Sequence, residues 1–190
     1  ADSSLLNNLK NELEKCKINA ENIYLRLGNI INTYNVFQNF YPYFDVVPVD
    51  CQEELENALL RCYTDKTSND HLITLQKFTA PLKDGHISVL KPLGNIYYAP
   101  PISWEWIENQ LVVTNIYDSI IQIKVGDIIT HIDGQTSDEY FKEIYSRISA
   151  ASVGWLNFRA KTLGLFGDKD SKFLVTIENK SIELRRNRLL

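Results

Sequence analysis

The apolar period of this chain changes once, near residues 90–95, so no fold built on a single period suits both halves. Before that point apolar residues recur at helical spacing. Leu5, Leu6, Leu9 and Leu13 form one stripe, with Asn, Lys and Glu between them. Ile23, Leu27, Ile30, Ile31, Tyr34 and Phe37 predict a second helix over about residues 20–40. It must stop within Asn39-Phe40-Tyr41-Pro42-Tyr43-Phe44, because the residue before a proline is driven out of the helical region. Asp50 with Glu53 reads as a capping box opening a third helix that carries Leu55, Leu59 and Leu60. A fourth starts at Ser68 or Asn69, carries Leu72, Leu75 and Phe78, and ends by Asp84-Gly85, where glycine is expected to supply a left-handed cap.

His86-Ile87-Ser88-Val89-Leu90 alternates and predicts a short strand. From about Pro92 the period is mostly two, with turns at regular intervals. Strands are expected over residues 96–99, 102–107, 111–116, 127–132, 173–178 and 181–185. Glu108-Asn109-Gln110 and Asn179-Lys180 are hairpin turns, and one amphipathic helix spans about residues 137–148 with Tyr140, Phe141, Ile144 and Tyr145 on it. The expected class is α+β: a helical module over residues 1–92 and a β-rich domain over residues 93–190.

Composition bounds the function. In 190 residues, 44% are apolar and 23% charged, enough to bury a core. Twenty Lys+Arg against 24 Asp+Glu give a net charge of -4, whereas proteins that live by phosphate contacts carry a basic excess. No nucleic-acid partner is expected. Neither a membrane span nor a signal peptide is read, since no apolar run is long enough. Methionine is absent, even at position 1, so a processed product or part of a longer chain is expected. Cys16, Cys51 and Cys62 leave at least one thiol unpaired within the chain. On one helix Cys51 and Cys62 would stand about 16 Å apart, too far to bridge. His71, His86 and His131 lie close neither to one another nor to a zinc-type Cys motif, so no metal site and no cofactor are expected.

Val125-Gly126-Asp127-Ile128-Ile129-Thr130-His131-Ile132-Asp133-Gly134 is a glycine turn, a short buried strand and an Asp-Gly turn. With the strand before it, the helix after it and the terminal strand pair, it resembles the centre of a PDZ domain over about residues 95–188. That resemblance implies a groove in which an extended peptide adds a strand to the sheet edge. Ile102, Ser103 and Trp104 would supply the groove strand, and Tyr140, Phe141 and Ile144 the groove helix. The carboxylate-binding loop of such domains is usually glycine-rich. Here Ala99-Pro100-Pro101 stands in its place, and each proline removes an N–H donor.

Pro81-Leu82-Lys83-Asp84-Gly85-His86 precedes the PDZ-like part. Helical region, Leu-x-Asp-Gly-His, then PDZ-like domain is an order that resembles the tail-specific, or C-terminal processing, serine peptidases, including tricorn-like members. The Phe40-Tyr41-Pro42 block is similar to a segment of the bacterial ones. The resemblance implies a nucleophilic serine in a catalytic domain after the PDZ-like part, and His86 as candidate base. Gly85 stands where the tricorn-like motif has Ser. No Gly-x-Ser-x-Gly stretch occurs, so this chain alone is not expected to hydrolyse peptides. The implied role is the non-catalytic N-terminal part of a serine endopeptidase. Its partners would be a peptide or unfolded-protein substrate and its own downstream catalytic domain, and its location the bacterial periplasm or cell surface. The rival reading is a stand-alone peptide-binding or scaffold module. The peptidase reading further expects an uncovered apolar patch where the missing domain docks.

Overall fold

The computed structural model describes residues 3–15, 20–90, 97–118 and 121–189. Cys16, the boundary segment 91–96 and Ser119 lie outside them. The chain is α+β and divides into two compact units, Ala1–Pro81 and Leu82–Leu190. The second unit thus begins earlier than the change of period suggests. Residues 83–88 belong with it because Asp84 and Ser88 bond to Ser149 and Arg159 of that unit.

The first unit holds α1 (Ser3–Lys15), α2 (Ile23–Phe40), α3 (Cys51–Thr64) and α4 (Ser68–Thr79). Each of the last three has a built N-terminus. Asn22 caps α2, and Asp50 accepts the Gln52 and Glu53 N–H groups. Thr67 and Asp70 cap one another at α4. Helix α2 packs on α3, and α3 on α4. Ile30, Ala58, Cys62 and Phe78 form a small core, flanked by Leu27, Tyr34, Leu55, Leu59 and Leu75. The Tyr41 ring sits edge-on to Phe37, Tyr43 and Phe44, so the aromatic block anchors the end of α2.

A polar set is buried beside that core. Arg26 is 5% exposed and donates to the carbonyls of Ala20, Glu21 and Cys62. His71 and Thr74, both buried, reach Asp65 at the end of α3.

The fourth helix closes in a 3₁₀ turn, Ala80–Leu82, and the left-handed residue after it is Lys83 (φ 51°) rather than Gly85. Gly85 answers a different need. A Cβ there would lie 2.9 Å from the Trp155 indole nitrogen, so any larger residue forces the ring to shift.

The second unit carries β1 (Tyr98–Ala99), β2 (Ile102–Ile107), β3 (Gln110–Ile116), β4 (Ile128–Ile129), β5 (His131–Ile132), β6 (Gln135–Thr136), α5 (Ser137–Tyr145), α6 (Val153–Leu165), β7 (Lys172–Ile177), β8 (Lys180–Arg185) and β9 (Arg188–Leu189). Two of its sheets run β2-β3-β4 and β6-β5-β7-β8, and β1 pairs with β9. Three tight turns set the registers. Glu108-Asn109, Asp133-Gly134 and Glu178-Asn179 all hold positive φ at both central residues, as type I′ hairpins require.

The Gly-Asp and Asp-Gly positions singled out in the sequence have plain structural work. Gly126 turns at φ 96°, and the Asp127 carboxylate accepts the Lys124 N–H at 2.7 Å. Asp133 Oδ1 accepts the Leu174 N–H at 2.8 Å, tying that hairpin to β7.

Inward residues of β2, β3, β7 and β8 meet α5 and α6 in a large apolar core. Phe141 is its centre, with the Trp104, Trp106 and Tyr140 rings standing edge-on to it within 5.3–5.8 Å. A further sequence expectation fails, and one helix was missed. Residues 86–90 form no strand, their one local backbone bond being a turn from Ile87 N–H to Asp84 O. Helix α6 was not expected, because Val153, Trp155, Leu156, Phe158, Leu163 and Leu165 ring it without leaving a clean polar face.

Candidate functional site

Asp84, Gly85 and His86 make a tight turn at the start of the second unit. Ser149 Oγ accepts the Asp84 N–H at 2.8 Å, which anchors the turn behind α5. Asp84 Oδ1 then accepts two bonds, from the His86 N–H at 2.9 Å and from His86 Nδ1 at 3.0 Å. The backbone donor, foremost, holds the Asp84 carboxyl below its ordinary range. An ionised carboxylate on Nδ1 selects the tautomer that carries its proton there, leaving Nε2 as a free acceptor. The His86 side chain is fully exposed. This is the arrangement a general base needs: an oriented imidazole with its basic nitrogen turned outward.

Beside the turn lies the N-terminal half of α6. Trp155 stacks on Phe158 with centroids 5.4 Å apart, and the Arg159 guanidinium sits over Trp155. Arg159 also reaches Ser88 Oγ. Val153 is 72% exposed and Phe158 52%, so this helix presents apolar surface next to His86.

The proposed groove residues are divided by the structure. Ile102, Trp104 and Phe141 have essentially no exposed surface, and Ile144 is buried with them. They are core, not groove wall, since a side chain without exposed surface cannot touch a peptide. Trp104 Nε1 donates to Lys161 O, and Tyr140 donates its hydroxyl to Gly164 O. Burial raises the Tyr140 phenol above its ordinary value. Ser103 stays near the surface, its hydroxyl 3.2 Å from that of Tyr117.

Helix α6 also packs against β2. A pocket of about 180 Å³ lies there, lined by Glu105, Trp106, Gly154, Asn157, Phe158 and Lys161. Lys161 and Glu105 are ion-paired across it. Among the described residues β2 pairs only with β3. The signal for it in the sequence was the Trp-Glu-Trp alternation of β2. The partnering helix was invisible without its fold.

No protein-family model and no characterised protein matches this sequence. Solved structures do match. The crystal structure of a point mutant of CPAF, a chlamydial serine protease akin to the tail-specific proteases, aligns at 13% identity and TM-score 0.67. That alignment covers 88% of this chain and 34% of that one. Mature CPAF aligns at 12% identity and TM-score 0.62, covering 86% and 34%. Mature CPAF complexed with lactacystin aligns at 14% and 0.67, covering 88% and 35%. At these identities the likeness is one of fold. The chain spans about a third of the length of the structures it matches.

Proposed function

We propose that this chain is the N-terminal part of a serine endopeptidase, supplying its base but not its nucleophile. The observation that carries the reading is the shared fold over 88% of the chain with about a third of a longer protease. His86 is the general base in this reading, held by Asp84 and acting on a serine hydroxyl supplied by a downstream catalytic domain. The base takes the hydroxyl proton as the serine oxygen attacks the peptide carbonyl. The exposed Val153, Trp155 and Phe158 beside the turn support a docked neighbour there, since uncovered aromatic surface of this kind marks contact sites.

The PDZ-like unit binds substrate. An extended peptide adds to the edge of β2, with its side chains reaching the pocket against α6. Pro100 and Pro101 remove the donors that would hold a terminal carboxylate, so internal segments are the preferred ligand.

The test is made on the full reading frame that contains this chain. Hydrolysis of an unfolded protein is expected, and His86→Ala is expected to lower kcat by about 10²–10⁴-fold. Near-normal turnover in His86→Ala removes the base assignment. A reading frame with no downstream serine domain removes the peptidase reading and leaves the β2 edge as that of a stand-alone peptide-binding module.

A further inference from the structure

The first unit holds a cluster of ligating groups that the peptidase reading does not use. Cys62 in the last turn of α3, Asp65 at its C-cap and His71 in the first turns of α4 converge at one helical corner. One ligand atom from each lies within 4.8 Å of the other two. All three side chains are withdrawn from solvent: Cys62 is 0% exposed, and the His71 and Asp65 side chains 5% and 7%. Sequence spacing hides the trio, because Cys62 and His71 sit on different helices.

A thiol, an imidazole and a carboxylate together form a donor set suited to zinc. Zinc–ligand bond lengths place tetrahedral donors about 3.3–3.6 Å apart, so the three need to draw in by about 1 Å. Two of them already stand that close, with His71 Nδ1 3.4 Å from Asp65 Oδ2. Supporting contacts orient the far side of two of the ligands. Asn29 lies 3.4 Å from His71 Nε2, and Thr74 donates to Asp65 Oδ1 at 3.0 Å. Partners of this kind fix ring orientation and carboxylate aim at metal centres. The His71 contacts are long for hydrogen bonds, so the ring is oriented without being saturated.

We propose that Cys62, Asp65 and His71 bind a zinc-class divalent cation, with solvent as the fourth ligand, clamping the α3–α4 corner. The thiolate and carboxylate neutralise the cation's two charges. Arg26 is the nearby opposing charge; it donates to the carbonyls of Ala20, Glu21 and Cys62 and also bears on the Cys62 thiol. Burial pushes the Cys62 thiol up and the His71 imidazole down. Without metal the thiol keeps its proton and the imidazole is neutral. On binding, the S–H bond breaks, the S–metal bond forms and the proton leaves to solvent, so affinity rises with pH.

The test is a titration of Co²⁺ into this chain, kept reduced and stripped with chelator. One equivalent is expected to give a thiolate-to-cobalt charge-transfer band in the near ultraviolet, and Zn²⁺ is expected to erase it. Cys62→Ser is expected to abolish the band while Cys51→Ser leaves it. Asp65→Asn and His71→Gln are each expected to weaken binding at least about tenfold. Should Cys62→Ser fail to fold by circular dichroism, the decision rests on Asp65→Asn and His71→Gln. A wild-type chain without the band, a band that survives in folded Cys62→Ser, or unchanged affinity in both Asp65→Asn and His71→Gln overturns the proposal.

Discussion

The two units solve the same problem with different materials. The second builds one broad apolar core around Phe141, Trp104 and the inward faces of its strands, and locks the strands with three tight turns. The first has only Ile30, Ala58, Cys62 and Phe78 at its centre. It completes the interior with charged and polar groups: Arg26, His71, Asp65 and Thr74. A large apolar core resists perturbation by area, at about 25 cal/mol per Å² buried. A small core with buried polar members depends on every donor meeting its acceptor, because an orphaned group costs about 1–3 kcal/mol. The first unit should therefore respond to charge, pH and metal, and the second to volume.

The largest effect expected is at Phe141, which the Trp104, Trp106 and Tyr140 rings meet edge-on. Phe141→Ala should cost about 3–5 kcal/mol, the range for truncating a buried aromatic. Hydrogen exchange is the readout: protection should fall in β2, β3 and β7 while α2–α4 keep theirs. Equal loss in both units would erase the distinction.

Arg26→Ala is the matching probe in the helical unit. It strips donors from three carbonyls and should cost about 1–3 kcal/mol, read from urea denaturation followed at the helices. A neutral result would mean that water replaces the guanidinium, and that the polar interior is not a structural dependence.

The helix caps should show no distinction at all. Thr67 and Thr136 each form a reciprocal capping box, one in each unit. Changing either to Ala should cost about 1 kcal/mol, because the same backbone donor is orphaned. Very different costs would show that the units differ in local as well as core energetics.

The smallest effect expected is on pH. Burial, foremost, holds His71 below its ordinary value of 6.5, against the opposing pull of Asp65. The unfolded chain then takes up the proton first as pH falls. The stability due to neutral His71 is complete above about pH 6.5 and is lost below it. In chelator, helical stability should drop from pH 7 downward, and His71→Gln should flatten that slope. A slope unchanged in His71→Gln would move the pH dependence to other groups.

Much of this was legible in the residues. The helices of the first unit follow from apolar spacing and from the cap at Asp50, all local in sequence. The hairpins follow from Asn and Gly at positions that demand positive φ, again a local requirement. Local energetics act over a few residues, so a pattern of a few residues carries them.

Three features were decided by tertiary structure alone. Helix α6 is apolar around its circumference because it meets β2 on one side and α5 on another while leaving Trp155 and Phe158 uncovered. No periodic stripe announces such a helix. Trp104 and Phe141 read equally well as groove or core, and only packing makes them core. The Cys62, Asp65 and His71 corner depends on how two helices turn against each other, and that angle is set by the side chains between them rather than by spacing along the chain. The sequence by itself determined the helices of the first unit, helix α5 and the hairpin turns, though not α6 or the turn at residues 84–87, and placed Asp84 two residues before His86. The tertiary structure decided which side chains meet, because contact is a property of distance in space and not of separation along the chain.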